Sequence, residues 1–306
     1  PLMLQRPNPA NDRLIVNING RLLPRDEAGV SPFDSSVQNG DAVWEGLRLY
    51  AGRIFRLEAH LARLRKSAAM LAYQGFLTDE ILVAELGRTL AANGMRDGVH
   101  VRLTVSRGLK YTSGLDPRIN QAGCSFFILA EHKPPVFDNT HGIRLITARQ
   151  RRPFADVLDQ HIHSCNQLTS ILAKLEANAA GVDDAVLLDT AGMLAETSST
   201  HLFLVRDGRV ITSTTRACPE GITRSVVLEI CRHLGLPAEE RDVPAAELAQ
   251  ADEMFVTGTM GEITPVAMLD GRDHGGVPGP VTSLIAIRFR EVTSDPAEGT
   301  LVVAGK

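Results

Sequence analysis

The segment Glu220-Gly221-Ile222-Thr223-Arg224 has the composition of a phosphate cup. A glycine lets backbone approach a ligand. The following residues open a helix, and helix-start amides together with a Thr hydroxyl donate to an anion. Thr257-Gly258-Thr259-Met260-Gly261 follows an apolar run and forms a second small-residue loop with hydroxyls. Two such loops suffice to grip one phosphate from two sides. Each taken alone is equally an ordinary helix cap or turn. His161 and His163 stand two apart, a spacing that puts both on one face of a strand. No neighbouring carboxylate pair completes a ligand set, so no metal is expected.

The elements that must position these residues fall into two sets. In the first half, Leu14–Asn19 and Arg21–Leu23 flank Asn19-Gly20 and read as a hairpin. Leu47–Tyr50 and Arg53–Phe55 repeat the pattern about Gly52. Glu58–Leu71 carries Leu61, Leu64, Ala68 and Leu71 on one helical face. Thr78 caps a second helix through Leu90, ended near Asn93-Gly94. Val99–Ser106 and Ser125–Ala130 are strand-like. Pro134-Pro135 and the polar stretch to Gly142 mark a boundary, giving domains 1–135 and 142–306. The second domain alternates strands at Ile143–Ala148, Ala185–Leu188, Met193–Ala195, Leu202–Val205, Val210–Thr212, Glu253–Thr257 and Ile263–Leu269. Its helices are Gln167–Ala180, Thr223–Leu234 and Thr282–Arg290. Many short strands flanked by helices suggest a barrel-like sheet in an α+β protein.

The chain has 306 residues, about right for two domains, with 44% hydrophobic and 22% charged residues. A net charge of −4 gives no footprint for nucleic acid or an anionic membrane. Cys124, Cys165, Cys218 and Cys231 show no paired spacing and read as reduced thiols of a cytoplasmic protein. Residues 1–14 lack the apolar core of a signal peptide, and no apolar run is long enough to span a membrane.

Four runs resemble a known family. They are AVWEGLRLYAGRIFRLEAHLARLRKSA from Ala42, GVDDAVLLDTAGMLAETSSTHLFLVRDGRVITS from Gly181, EGITRSVV from Glu220 and ADEMFVTGTMGEITPV from Ala251. In this order they look like the class IV (fold type IV) pyridoxal-phosphate aminotransferases of branched-chain and D-amino-acid type. The similarity spans roughly Leu14 to Val292. It implies a two-domain α+β fold, with a small α/β N-terminal domain and a larger barrel-like C-terminal one. The implied cofactor is pyridoxal 5'-phosphate, and the implied assembly is a homodimer. By position, Arg63 matches the phosphate-binding arginine, and a guanidinium fork suits a dianionic phosphate. Glu196 matches the carboxylate that faces the pyridine nitrogen. Ile222 and Thr223 match the cup at the helix start, and Thr259 the hydroxyl of the second loop. Arg102 and Trp44 fall where substrate would lie, although each is equally an ordinary strand residue.

One residue of the family pattern is missing. Such enzymes hold the cofactor covalently on a lysine, which then moves the substrate proton. That lysine stands just before a helix reading NxLxxxLAKxEA. Here the helix is Asn166–Ala177, and Asp159–Cys165 contains no lysine. Counting back from Lys174, the D-amino-acid spacing lands on His163. A subfamily reading KIHxxN puts the lysine at His161, and the text HIHSCNQL fits that register better. Lys174 itself, well inside the helix, reads as a solvated residue. Histidine accepts protons near neutral pH but makes no stable covalent link to an aldehyde. The expectation is therefore amino-group transfer between an amino acid (branched-chain or D-) or amine and a 2-oxo acid, impaired or altered. Proton transfer falls to His161 or His163. The alternative is a non-covalent pyridoxal-phosphate-binding or regulatory module without turnover.

Overall fold

The computed structural model describes residues 6–274 and 277–303. The described chain divides into two compact units. The first comprises 6–134, 162–166 and 293–303, and the second comprises 135–161 and 167–292 apart from 275–276. A single cut at 135–142 does not anticipate that residues 162–166 and the C-terminal stretch belong with the first unit.

In the first unit the strands are β1 (Ile15–Ile18), β2 (Arg21–Pro24), β3 (Ala42–Tyr50), β4 (Arg53–Phe55), β5 (Val99–Ser106) and β6 (Ser125–His132). With the terminal strand Gly299–Leu301 they form an antiparallel sheet, ordered Gly299–Leu301, β4, β3, β5, β6, β1, β2. Strand alternation sorts the side chains. Val43, Leu47, Leu49, Val101, Leu103 and Val105 enter one core with helices α1 (Leu57–Met70) and α2 (Asp79–Ala92). Leu57, Leu61, Leu64 and Ala68, spaced by three or four, supply the apolar stripe of α1. Burying each leucine contributes about 2 kcal/mol. The Thr78 side chain accepts from the Ile81 amide and starts α2.

Residues 162–166 lie along the edge of β3. The Trp44 amide donates to the His163 carbonyl at 3.0 Å, and the Cys165 amide donates to the Ala42 carbonyl at 2.8 Å. Two bonds over five residues leave no periodicity to read, which is why the sequence shows no strand there.

The second unit contains β7 (Ile143–Arg152), β8 (Asp184–Asp189), β9 (Leu194–Thr197), β10 (His201–Arg206), β11 (Arg209–Thr212), β12 (Ala238–Glu240), β13 (Glu253–Gly258) and β14 (Glu262–Leu269). They form one mixed sheet ordered β12, β11, β10, β13, β14, β7, β8, β9, with Arg272–Asp273 paired to β14. The pairs β14–β7, β7–β8 and β11–β12 are parallel. Every residue of β8 is buried. One side of it meets Ala173 and Ala177 of α3 (Leu168–Ala179), and the other belongs to the larger core around Leu202 and Val256. A continuous apolar run is the signature of a strand covered on both faces. Helices α4 (Ile222–Leu234) and α5 (Pro280–Ser294) complete the unit. Lys174 corrects the sequence reading. It is half-buried, and its ammonium donates to the Asp183 carbonyl and lies close enough to act on buried Asp184. No described helix is long and apolar enough to cross a membrane.

Candidate functional site

In the second unit, α4 begins at Gly221 without a side-chain cap, and its first backbone bond runs from the Ser225 amide to the Gly221 carbonyl. A helix leaves its leading amides without intrahelical acceptors, at the positive end of its dipole. Those of Ile222 and Thr223 meet no acceptor among the described residues. Gly221 must be glycine here, because a Cβ would stand 2.3 Å from the His201 ring. Thr223 is buried. Gly258, at the end of β13, packs against Thr200, where a Cβ would meet the methyl at 3.1 Å. Thr259 is half-buried in the loop that follows. The neighbouring Thr257 hydroxyl is buried with no partner.

Glu196 lies on β9 opposite Leu187, beside a register shift that can re-aim a strand side chain. Its carboxylate meets Arg152 at 2.9 Å, and both side chains are almost fully buried. Arg152 also donates to the Ser170 hydroxyl at 2.8 Å, and that hydroxyl donates to Gln167 at 3.2 Å. The carboxylate is thus held from the start of α3. Sequence reasoning missed Arg152 because it ends the run Arg149-Gln150-Arg151-Arg152, which reads as surface charge. In the same unit, His161 Nδ1 lies 2.8 Å from Asp159, whose carboxylate also accepts the His161 amide at 2.9 Å.

In the first unit the centre is a residue the sequence reading passed over. Glu45 of β3 is fully buried. Arg63 of α1 grips it with Nε to Oε1 at 2.8 Å and Nη2 to Oε2 at 2.7 Å. His60 Nδ1 lies 2.7 Å from Oε2, and His163 Nδ1 lies 3.4 Å from Oε1. Burial alone would push the Glu45 carboxyl up. The adjacent Arg63 guanidinium, with His163, reverses this and holds it well below the usual carboxylate range. Burial lowers the basicity of His60. It does the same to His163, where the Arg63 charge adds to the effect and Glu45 opposes it. His163 Nδ1 also lies 2.5 Å from the Trp44 carbonyl. A carbonyl only accepts, so Nδ1 carries the hydrogen, and a neutral ring keeps its basic lone pair on Nε2. The Trp44 indole stacks on the His163 ring, with centroids 4.4 Å apart, and the Arg102 guanidinium lies 3.9 Å over the indole. Arg102 reaches the Cys165 sulfur at 3.7 Å.

Contact therefore links four sequence-selected residues in the first unit: Arg63, His163, Trp44 and Arg102. Glu196, Ile222, Thr223, Thr259 and His161 belong to the second unit. The two histidines, neighbours in sequence, fall in different units and are oriented by different carboxylates.

The donor sets have a definite chemical fit. Uncapped amides at a buried helix start suit a phosphate, and a carboxylate braced by arginine suits a protonated ring nitrogen. The segment Asp159–Cys165 contains no lysine. This two-unit mixed α/β fold, with a curled half-barrel sheet in the second unit, is that of the fold-type IV aminotransferases. The chain belongs to that family: the model for amino-transferase class IV matches residues 42–269. The chain is 46% identical over 288 residues to the branched-chain-amino-acid aminotransferase-like protein 2 of Arabidopsis thaliana, covering 94% of this chain and 52% of that protein. It thus spans about half the length of the first curated relatives it matches. A putative branched-chain-amino-acid aminotransferase of Methanocaldococcus jannaschii is 37% identical over 279 residues, 90% of this chain and 96% of the relative. The branched-chain amino acid aminotransferase of Thermobaculum terrenum, solved in its PLP-form (holo-form), superposes with a TM-score of 0.86 at 29% identity, covering 96% of this chain and 100% of that one.

Proposed function

We propose that this protein binds pyridoxal 5'-phosphate and acts in amino-group transfer between an amino acid and a 2-oxo acid, with turnover altered by the missing lysine. The observation that carries the reading is the pair of donor sets in the second unit: the uncapped start of α4 and the Arg152-braced Glu196. Arg63, Ile222, Thr223 and Thr259 are the phosphate partners, and Glu196 faces the pyridine nitrogen. When bound, the cofactor supplies an electron sink for the carbon that loses its proton. The chain's own contribution is a base. His163 fills this role, because its Nδ1 hydrogen is fixed by the Trp44 carbonyl and its ring is held neutral. His161 stands where the lysine would be. Arg102 and Trp44 line the substrate side, and branched-chain amino acids are favoured as substrates by the two relatives named above. The apolar side chains Leu168, Ile171 and Leu175, exposed along α3, suit a homodimer, and the free cysteines suit the cytoplasm.

The test is to add pyridoxal 5'-phosphate, record the spectrum, reduce with borohydride and digest. The expected result is bound cofactor with no pyridoxyl-lysine peptide. A labelled lysine would overturn the assignment of a non-covalent site, and no binding at all would overturn the function. His161→Lys should then raise transfer activity on an amino-acid panel. Activity restored only by His163→Lys would move the substituted position to His163 and withdraw its role as base.

A further inference from the structure

We propose that Thr197 is a positioning residue: its hydroxyl, anchored on the buried Asp184 carboxylate, shapes the turn to Thr200 and thereby seats the Gly258–Thr259 loop for the cofactor phosphate. The proposal rests on the reading of Thr259 as a phosphate partner, and every residue in it belongs to the second unit.

Thr197 ends β9 opposite Val186 and is fully buried, as is Asp184 at the start of β8. The Thr197 hydroxyl donates to Asp184 Oδ2 at 2.9 Å, and the next hydroxyl along the chain, that of Ser198, donates to Oδ1. With its single hydrogen committed to the carboxylate, Thr197 Oγ1 is left as an acceptor. It takes the Thr200 amide at 3.1 Å, and the Thr200 hydroxyl, 2.7 Å away, therefore donates to it as well. The Thr197 amide donates to the Thr200 carbonyl at 2.7 Å. One side chain thus closes the turn 197–200 and ties it to the neighbouring strand. The hydroxyl bond also fixes the rotation of the Thr200 side chain, whose methyl would stand 3.1 Å from a Cβ at Gly258. The next residue, His201, pairs with Thr257, so the two segments remain in contact. Gly258 leads directly into Thr259, and a displaced Thr200 displaces that loop. Glu196 precedes Thr197 in the chain, but its carboxylate is braced separately by Arg152.

A role confined to stability and a positioning role predict different outcomes. If the Thr197 hydroxyl only stabilises the fold, its loss leaves the folded protein's preference for a phosphorylated ligand as it was. If it positions the loop, the loss falls selectively on the phosphate, because the ring partner Glu196 keeps its own brace. The readout is the ratio of dissociation constants for pyridoxamine and pyridoxamine 5'-phosphate, measured by titration calorimetry on the full chain. The ratio isolates the phosphate contribution and requires no turnover.

Thr197→Val keeps the branched shape and removes the hydroxyl. It should lower the ratio about tenfold, the loss expected for a misaligned charge-assisted contact. Thr197→Ser retains the hydroxyl and should keep the wild-type ratio. Thr200→Val leaves the bond from Thr197 to Asp184 in place and removes the hydroxyl at the other end. It should also lower the ratio, and it decides the matter where Thr197→Val does not fold. A wild-type ratio in either folded valine variant overturns the proposal, and so does a loss in Thr197→Ser as large as that in Thr197→Val. If Thr259→Val leaves the ratio intact, Thr259 is not a phosphate partner, and it is the underlying reading that fails.

Discussion

His100 should make the first unit sensitive to mild acid. It sits on β5 opposite Arg48 and Glu131, is 8% exposed, and its Nδ1 has no partner. Burial, aided by Lys133, Arg48 and Arg102, pushes its pKa down to about 3. In the unfolded chain the ring titrates near its ordinary value of about 6.5. As pH falls below that value the unfolded state takes up a proton that the folded state refuses, so stability drops. Between roughly pH 7 and roughly pH 5 this single group removes about 2 kcal/mol, or about 30-fold in the folding equilibrium. The lower pH still lies well above the folded value, so the loss hardly depends on how deep the depression is. The comparison is with His100→Gln, which cannot titrate. His60, His163 and Glu45 are also depressed and weaken the fold in the same direction, but they are common to both proteins. The only tryptophan, Trp44, lies on β3, the strand paired with β5 in the same unit, so urea titrations followed by its fluorescence report on that unit. The stability gap between wild type and His100→Gln should shift by about 2 kcal/mol in favour of the variant on acidification. Parallel losses in the two proteins would refute the reasoning.

Two further substitutions probe the second unit. Gly221→Ala places a methyl 2.3 Å from the His201 ring, which should cost about 2 kcal/mol by overpacking and weaken pyridoxamine 5'-phosphate binding through the displaced start of α4; a melting temperature and affinity equal to wild type would contradict this. Arg152→Met deprives the buried Glu196 carboxylate of its guanidinium and should cost about 3 kcal/mol in a denaturation titration. Adding Glu196→Gln should recover most of that loss, and additive losses would show that the ion pair is not the cause.

Much of the fold is legible in the sequence because it follows local periodicity. The leucine stripe of α1, the Thr78 cap of α2 and the full length of β5 follow from side-chain spacing and capping chemistry. Gly221 marks the start of α4 for the same local reason. The strands Ala238–Glu240 and Gly299–Leu301 are too short to carry a pattern, so their existence depends on the neighbours that accept them. The sequence also determines that Asp159–Cys165, just before α3, contains no lysine, a matter of composition that folding cannot alter.

Tertiary structure alone decides what surrounds each charge. Nothing in the sequence singles out Glu45 or Arg152, and only packing turns them into buried partners of Arg63 and Glu196. The same holds for Lys174, whose ammonium donates to the Asp183 carbonyl just before β8. His161 and His163 stand only two apart in the sequence, and the chain assigns them to different units by laying residues 162–166 along β3. Burial and the direction of a hydrogen bond depend on residues far away in sequence, so spacing identifies the groups able to do chemistry, and the fold sets the charge and orientation in which they are held.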